Sequence, residues 1–218
     1  MRFTRLIAGL TTAGLLGLAP VAISSPAEAT ENLTTTSTVS TYSTLPITVG
    51  EKITLRSDVA ASDGGSAYKG TVTLQALTPK NPVWTTIATS ETTYGSFEVK
   101  PTINTAYKIV YSGYAAASQY EDNYAASESA PLAVGVKRKA VFKTPGLLLV
   151  GKIKPDFKRK KVILKRKKGK KYVAWKKVRT NRKGVFRVKA PDRRGFKFSV
   201  TIPSDKKYTG FTGFYQVY

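Results

Sequence analysis

The residues with the plainest chemistry are cations of the C-terminal half, which come in runs. These are Val136-Lys137-Arg138-Lys139, Lys158-Arg159-Lys160-Lys161, Lys165-Arg166-Lys167-Lys168 and Lys170-Lys171. Clustered ammonium and guanidinium groups attract polyanions, so their chemistry is binding rather than bond-making. Groups for bond-making are scarce. The chain has no histidine and no cysteine, which removes His-based triads, thiolate nucleophiles and the usual zinc and copper ligand sets. Asp156, Asp192 and Asp205 are the only acids from residue 136 onward, and they are spaced too widely for a glycosidase carboxylate pair. Glu121-Asp122-Asn123 is the densest acidic cluster. Oxygen ligands on one loop can hold calcium, but the ordered D-x-D-x-D-G pattern is missing and the segment reads as a solvated loop. No motif points to a Ser-Lys dyad. The expectation is a non-enzymatic protein without cofactor or small-molecule substrate.

Charge divides the chain. Residues 30–135 carry nine acids and six bases, whereas residues 136–218 carry 28 bases and three acids. Such asymmetry between halves predicts two modules, the second of which meets a polyanion. So many like charges on one small domain repel one another, and solubility alone would be served by fewer charges of mixed sign. Lysine outnumbers arginine in this half, which suits diffuse attraction to phosphate more than bidentate docking.

The elements that must carry these cations are strands. Phe196, Phe198 and Val200 alternate with Lys197, Ser199 and Thr201, the period of a half-buried strand. With Phe186 and Val188 turned inward, Arg187 and Lys189 face solvent; with Val162 and Leu164 inward, Lys161 and Lys165 face outward. Ile163 breaks the pattern once. The resulting polyanion-binding set is Lys158, Arg159, Lys160, Lys161, Lys165, Arg166, Lys167, Lys168, Lys170, Lys171, Lys176, Lys177, Arg187, Lys189 and Lys197. Turn signals such as Asp63-Gly64-Gly65 and Lys168-Gly169-Lys170 separate short strands, and no stretch of the mature chain sustains helical periodicity. The predicted class is all-β, built as antiparallel sandwiches.

The two halves align on apolar landmarks. Val72-Thr73-Leu74, Val83-Trp84, Ile87, Gly95-Ser96-Phe97-Glu98-Val99 and Pro101 match Val162-Ile163-Leu164, Ala174-Trp175, Val178, Gly184-Val185-Phe186-Arg187-Val188 and Pro191. Tyr107, Ile109 and Tyr111 then match Phe196, Phe198 and Val200, and Tyr120 matches Tyr208. Two copies of one fold account for this. An exposed tryptophan could stack on a sugar ring, but recurrence of Trp84 and Trp175 in modules of opposite charge favours a core role for both. Gly95 and Gly184, each just before a strand, are expected to serve turns that need positive φ. Tyr172, Phe211 and Tyr215 are expected at the core or an edge.

A V-x-L strand, a Trp, a G-x-F strand and an aromatic-alternating strand together resemble the bacterial immunoglobulin-like repeats of secreted Gram-positive surface proteins. The likeness spans residues from about Leu45 to the end, as two copies. It implies stalks, spacers or adhesive modules, and the charge of the second copy departs from the usual pattern. Fold analogy does not choose a ligand.

The N-terminus adds a compartment. Arg2 and Arg5, an apolar run from Leu6 to Leu18, Pro20 and Ala27-Glu28-Ala29 have the order of a secretory signal peptide, 1–29, cleaved before Thr30. The run is short for a spanning helix, and no second apolar segment follows. Leu45-Pro46-Ile47-Thr48 resembles the start of a sortase signal, but Val49 and its position speak against it. Residues 30–44, rich in Thr and Ser, read as a spacer leading into an edge strand. The first immunoglobulin-like sandwich is expected at 45–136 and the second at 137–218. Lacking cysteine, each must be held by core burial alone. The predicted location is extracellular or at the cell surface. The predicted partners are anionic envelope polymers such as teichoic acid-like chains, with nucleic acid, a peripheral membrane contact or a ligand-free stalk as alternatives. Projecting lysines with few exposed aromatics favour sequence-blind contacts.

Overall fold

A computed structural model describes residues 30–217; the expected signal peptide lies outside them. The chain folds as two immunoglobulin-like β-sandwiches in tandem. The first contains β1 (Asn32–Leu33), β2 (Thr35–Ser40), β3 (Ile47–Thr48), β4 (Ile53–Ala61), β5 (Val72–Leu77), β6 (Thr85–Ser90), β7 (Gly95–Val99), β8 (Thr105–Tyr111), β9 (Asn123–Tyr124), β10 (Ser127–Glu128) and β11 (Leu132–Val134). A short β12 (Val136–Lys137) leads into β13 (Lys139–Lys143), β14 (Leu148–Lys154), β15 (Lys161–Lys168), β16 (Lys171–Arg179), β17 (Val185–Lys189), β18 (Lys197–Ile202) and β19 (Phe211–Gln216).

Each module repeats one topology. A three-stranded sheet, β2-β4-β7 or β13-β14-β17, faces a larger one, β6-β5-β8 with β10 and β11 on its far side, or β16-β15-β18-β19. Alternation of burial along β4 and β8 sends Leu55, Val59, Tyr107, Ile109 and Tyr111 into the first core. Leu149, Ile153, Val162, Leu164, Phe186, Phe198 and Val200 form the second. At one end of that core Trp175 meets Phe196 and Phe198 at 5.1 and 5.9 Å, and Phe198 stacks on Tyr215 at 5.5 Å. Aromatic burial of this kind supplies the cohesion that no disulfide provides.

The ladders also revise the alignment of the copies. Leu74 lies opposite Ile109 and Leu164 opposite Val200, so Ile109 corresponds to Val200 and not to Phe198. A slip of two residues keeps every side chain on its own face, so alternation alone cannot detect it. Both copies carry a bulge at the same place, after Leu74 and after Leu164. The residues skipped by the bulges are Ile87 and Trp175, which makes these equivalent. Trp84 corresponds instead to Tyr172. Trp175 packs on the second core, whereas Trp84 is half-buried outside the first, under Lys108 Nζ at 4.9 Å. The expected core role therefore holds for Trp175 alone. Tyr120 is exposed while Tyr208 is buried, so that pairing fails too.

Residues 30–44 are not a spacer. They supply β1, which pairs in parallel with β9, and β2, the edge of the first sheet. The Thr/Ser composition that reads as low complexity is also one that suits a pleated strand. Buried Ser37 hydrogen-bonds Ser127 at 2.7 Å. Gly184 has φ 73°, and a Cβ there would lie 2.5 Å from the Ile153 carbonyl oxygen. Gly95 needs no such conformation; it is the first residue of β7 and pairs with Ser57.

The boundary expected after residue 136 falls inside β12, which pairs in parallel with β3. Asn104 N–H donates to the Lys207 carbonyl at 2.8 Å, and Thr209 N–H to that of Val136 at 2.9 Å. Tyr208 packs into the first core cluster although it belongs to the second module. Arg138, whose side chain is 1% exposed, donates to Asp205 at 2.6 Å and to the Pro155 carbonyl at 2.9 Å, with its guanidinium 4.0 Å from the Tyr208 ring centre. The modules are thus joined by paired backbone and a buried cation.

Candidate functional site

The basic module has two outward faces, one per sheet. Its three-stranded face follows from alternation: Ala140, Phe142, Leu149, Ile153, Phe186 and Val188 go inward. Lys139, Val141, Lys143, Val150, Lys152, Lys154, Val185 and Arg187 must then go outward, and these eight line one concavity of about 490 Å³. The rows across it are set by register. Lys139 lies opposite Lys154, Val141 opposite Lys152, Lys143 opposite Val150, and Val150 opposite Arg187. Lys189 extends the same face opposite Leu148. The floor is valine, with Val141 47% exposed, and the rim is entirely cationic. No carboxylate lines it.

The fit beneath the floor depends on one missing side chain. Gly151, on β14, faces inward against Phe186, whose Cε1 would lie 2.2 Å from a Cβ added there. The corresponding first-module residue is Leu55, opposite Phe97. The sister face shows what the fold alone requires. There Thr54, Arg56 and Asp58 alternate along β4, with Glu98 opposite Thr54 and bonded to Lys52 at 2.6 Å. It is mixed in sign and rich in hydroxyls. The cationic rim is a property of the second copy.

The four-stranded face carries a different set. Lys161, Ile163, Lys165 and Lys167 point outward on β15, opposite Arg179, Lys177, Ala174 and Tyr172 on β16. Lys197, Ser199, Thr201, Thr212, Phe214 and Gln216 continue it across β18 and β19.

All fifteen cations expected from the sequence are exposed, but the structure distributes them. Arg187 and Lys189 join the concave face. Lys161, Lys165, Lys167, Lys177 and Lys197 share the opposite one. Lys168, Lys170 and Lys171 lie at the β15-β16 hairpin, where Gly169 adopts φ 59° at the first turn position. Lys158, Arg159 and Lys160 sit in the preceding loop, and Lys160 is engaged by Asp205 at 2.5 Å. Arg166 pairs with inward Phe198 and overhangs the end of the core. Lys176 reaches across to the Lys189 carbonyl at 3.4 Å. Sequence reasoning placed Lys139 in a basic run without counting it among the site residues, and missed Lys143, Lys152 and Lys154. The alternation of Lys152 and Lys154 with inward Gly151 and Ile153, and of Lys143 with Phe142, was the available signal, but single lysines do not stand out as runs.

Asp205 is the electrostatic pivot between loop and joint. Burial works to raise its carboxyl, but hydrogen bonds from Lys160, Arg138 and the Lys207 N–H outweigh this and hold it at about 2. Among the described residues, the ion pairs of the basic module are those of Asp205. The remaining cations keep their charge uncompensated.

The acidic cluster of the first module is used internally. Glu121 accepts from the Tyr114 hydroxyl at 2.6 Å and from Ala117 N–H at 3.0 Å, and Asp122 from Glu31 N–H at 3.0 Å. The Tyr114 hydroxyl foremost, and then Ala117 N–H, hold the Glu121 carboxyl below the usual range. Among the described residues no group of three or more acids is placed to hold a metal.

No protein-family model and no curated protein matches the chain. Solved structures do resemble it. A segment of two fibronectin type-III domains from chicken tenascin is 14% identical, over 87% of this chain and 99% of that one, at a TM-score of 0.37. The FN1–FN3 domains of chicken CNTN1 are 12% identical, over 86% of this chain and 66% of that one, at 0.31. At such scores the likeness carries no argument about ligand or partner. The two-sheet topology and the charge of its faces are the protein's own.

Proposed function

We propose that this is a secreted, non-enzymatic protein of a Gram-positive type of envelope, whose basic module binds anionic polymers such as teichoic acid-like chains. The carrying observation is the concave face of β13-β14-β17, where Lys139, Lys143, Lys152, Lys154 and Arg187 surround Val141, Val150 and Val185 without a carboxylate. Lysines directly opposite one another destabilise a sheet, and the sister module folds without them. An anionic chain laid along the face relieves that repulsion. The order of Arg2, Arg5, Leu6 to Leu18 and Ala27-Glu28-Ala29 supports export. The resemblance to surface-protein repeats supports a binding or spacing role, with the near-neutral first module presented outward.

The test is binding of the full mature chain to purified cell wall, duplex DNA and anionic vesicles across a salt series. Wall should be held most tightly, and affinity should fall steeply with salt as counterions are released. Replacing Lys139, Lys143, Lys152 and Lys154 together with Ser should lower the magnitude of the log–log salt slope on DNA by about three to four. An unchanged slope in that variant, or salt-insensitive wall binding, overturns the reading.

A further inference from the structure

The opposite face of the basic module carries a feature that charge does not explain. Tyr172 on β16 and Phe214 on β19 stand on the two outer strands of the four-stranded sheet, yet their rings meet at 5.1 Å and 60°. They lean over Ser199, which is 1% exposed although it lies on the outward side, opposite Phe214. Phe214 itself remains 65% exposed. The first module places Trp84 at the position of Tyr172, and Lys108 at that of Ser199. There Lys108 Nζ lies over the indole at 4.9 Å and binds Glu128 at 2.7 Å, so the ring has an internal partner. Among the described residues of the second module, no cation lies over these rings. The surrounding groups are Lys165, Lys167, which lies opposite Tyr172, and Lys197, none in an ion pair among the described residues, with the Thr201 and Thr212 hydroxyls 2.9 Å apart nearby.

We propose that the Tyr172–Phe214 pair is a sugar-ring subsite for an acidic polysaccharide. The apolar face of a pyranose packs on Phe214, its hydroxyls meet Thr212 and the Tyr172 phenol, and uronate carboxylates are met by Lys165 and Lys197. An exposed ring on Phe214 beside the phenol of half-buried Tyr172 suits a partner that is apolar on one side and wet on the other. Charge complementarity selects an acidic glycan, because among the described residues no carboxylate pairs with those lysines. Single-stranded nucleic acid would want successive flat platforms for consecutive bases; here one edge-on pair stands alone. The proposal rests on the polyanion reading and adds that the polymer carries rings.

The experiment measures the full mature chain against polygalacturonate, long-chain inorganic polyphosphate and oligo(dT), at about 0.15 M salt where long-range attraction is screened. Phe214→Ala should weaken polygalacturonate binding about fivefold to tenfold, the worth of an aromatic contact, and leave polyphosphate within about twofold. Phe214→Leu, which keeps an apolar cover over Ser199, should lose as much; this separates loss of the ring from loss of fold. Equal effects on both anions, or no effect on polygalacturonate, overturn the proposal. A larger loss for oligo(dT) overturns it in favour of nucleic acid. If the unmodified chain binds polyphosphate but not polygalacturonate, this subsite fails and the polyanion reading stands; if it binds neither, both fail.

Discussion

Lys139 on β13 stands directly opposite Lys154 on β14, on the outward side of the sheet and with no carboxylate on that face. Two ammonium groups in one cross-strand pair cost stability. The same sheet in the first module carries Arg56, Asp58 and Glu98. The fold therefore does not impose the repulsion.

A sign test follows from that pair. Lys154→Glu creates an opposite-charge pair with Lys139 and should raise unfolding free energy by about 0.2–1 kcal/mol. The same change should weaken polyanion binding and flatten its salt slope. Urea denaturation and a salt-series titration of one variant check both. A variant that loses both stability and affinity would contradict a functional origin for the repulsion.

Salt should stabilise the protein in the absence of ligand. Screening shortens to about 8 Å at physiological ionic strength, which is comparable to distances between side chains on one face. The Tm measured by calorimetry should rise as sodium chloride increases, and should rise less in the Lys139, Lys143, Lys152 and Lys154 to Ser variant.

The two tryptophans should separate cleanly. Trp175 seals one end of the second core against Phe196 and Phe198, so Trp175→Ala should cost about 3 kcal/mol in denaturant unfolding. Trp84 lies outside the first core under Lys108, and Trp84→Ala should cost less than about 1 kcal/mol. Equal losses would contradict the ladder-based equivalence of Trp84 with Tyr172.

Gly151 should resist even a methyl group. Its Cβ would lie 2.2 Å from Phe186 Cε1, so Gly151→Ala should destabilise by about 1–3 kcal/mol through overpacking. Adding Phe186→Leu should recover part of that loss in the same urea measurement.

The joint should show acid sensitivity of a defined sign. Asp205 is held at about 2, below its value of 3.8 in an unfolded chain, so its contribution is complete above about pH 4 and is lost as pH falls through 2. Asp205→Asn should therefore lower the Tm at pH 7, and the difference from the unmodified chain should shrink between about pH 4 and pH 2. A difference that instead grew on acidification would exclude the carboxylate as its source.

Alternation made most of the fold legible. Phe186 and Val188, Val162 and Leu164, and Phe198 and Val200 point inward as their period demands, because a pleated strand sends successive side chains to opposite faces. Composition alone announced the charge of the second copy. What period two could not show was register, since a slip of two leaves every residue on its own side; hence Ile109 was set against Phe198, whereas Trp84 was set against Trp175, three residues out of step, because alternation does not reveal the bulges after Leu74 and Leu164. Nor could it show that Thr35 to Ser40 form an edge strand, because Thr and Ser fit both a loop and a pleat.

The basic residues return to the same distinction. Their number and, Arg138 apart, their exclusion from the core were decided by the amino-acid sequence, because an unpaired charge beside buried valine and phenylalanine must turn to solvent. Which of them share a surface was decided only by strand pairing. The ladder of β13, β14 and β17 gathers Lys139, Lys154, Lys152 and Arg187 into one concavity, although 48 positions of numbering separate the ends of that group. Of the runs most visible in the sequence, the one at 137–139 gives Lys139 to this face and Arg138 to the joint, and the others go to a loop, a hairpin tip and the opposite face. A sandwich has two outer faces, and only the order of strands within each sheet says which charge belongs to which.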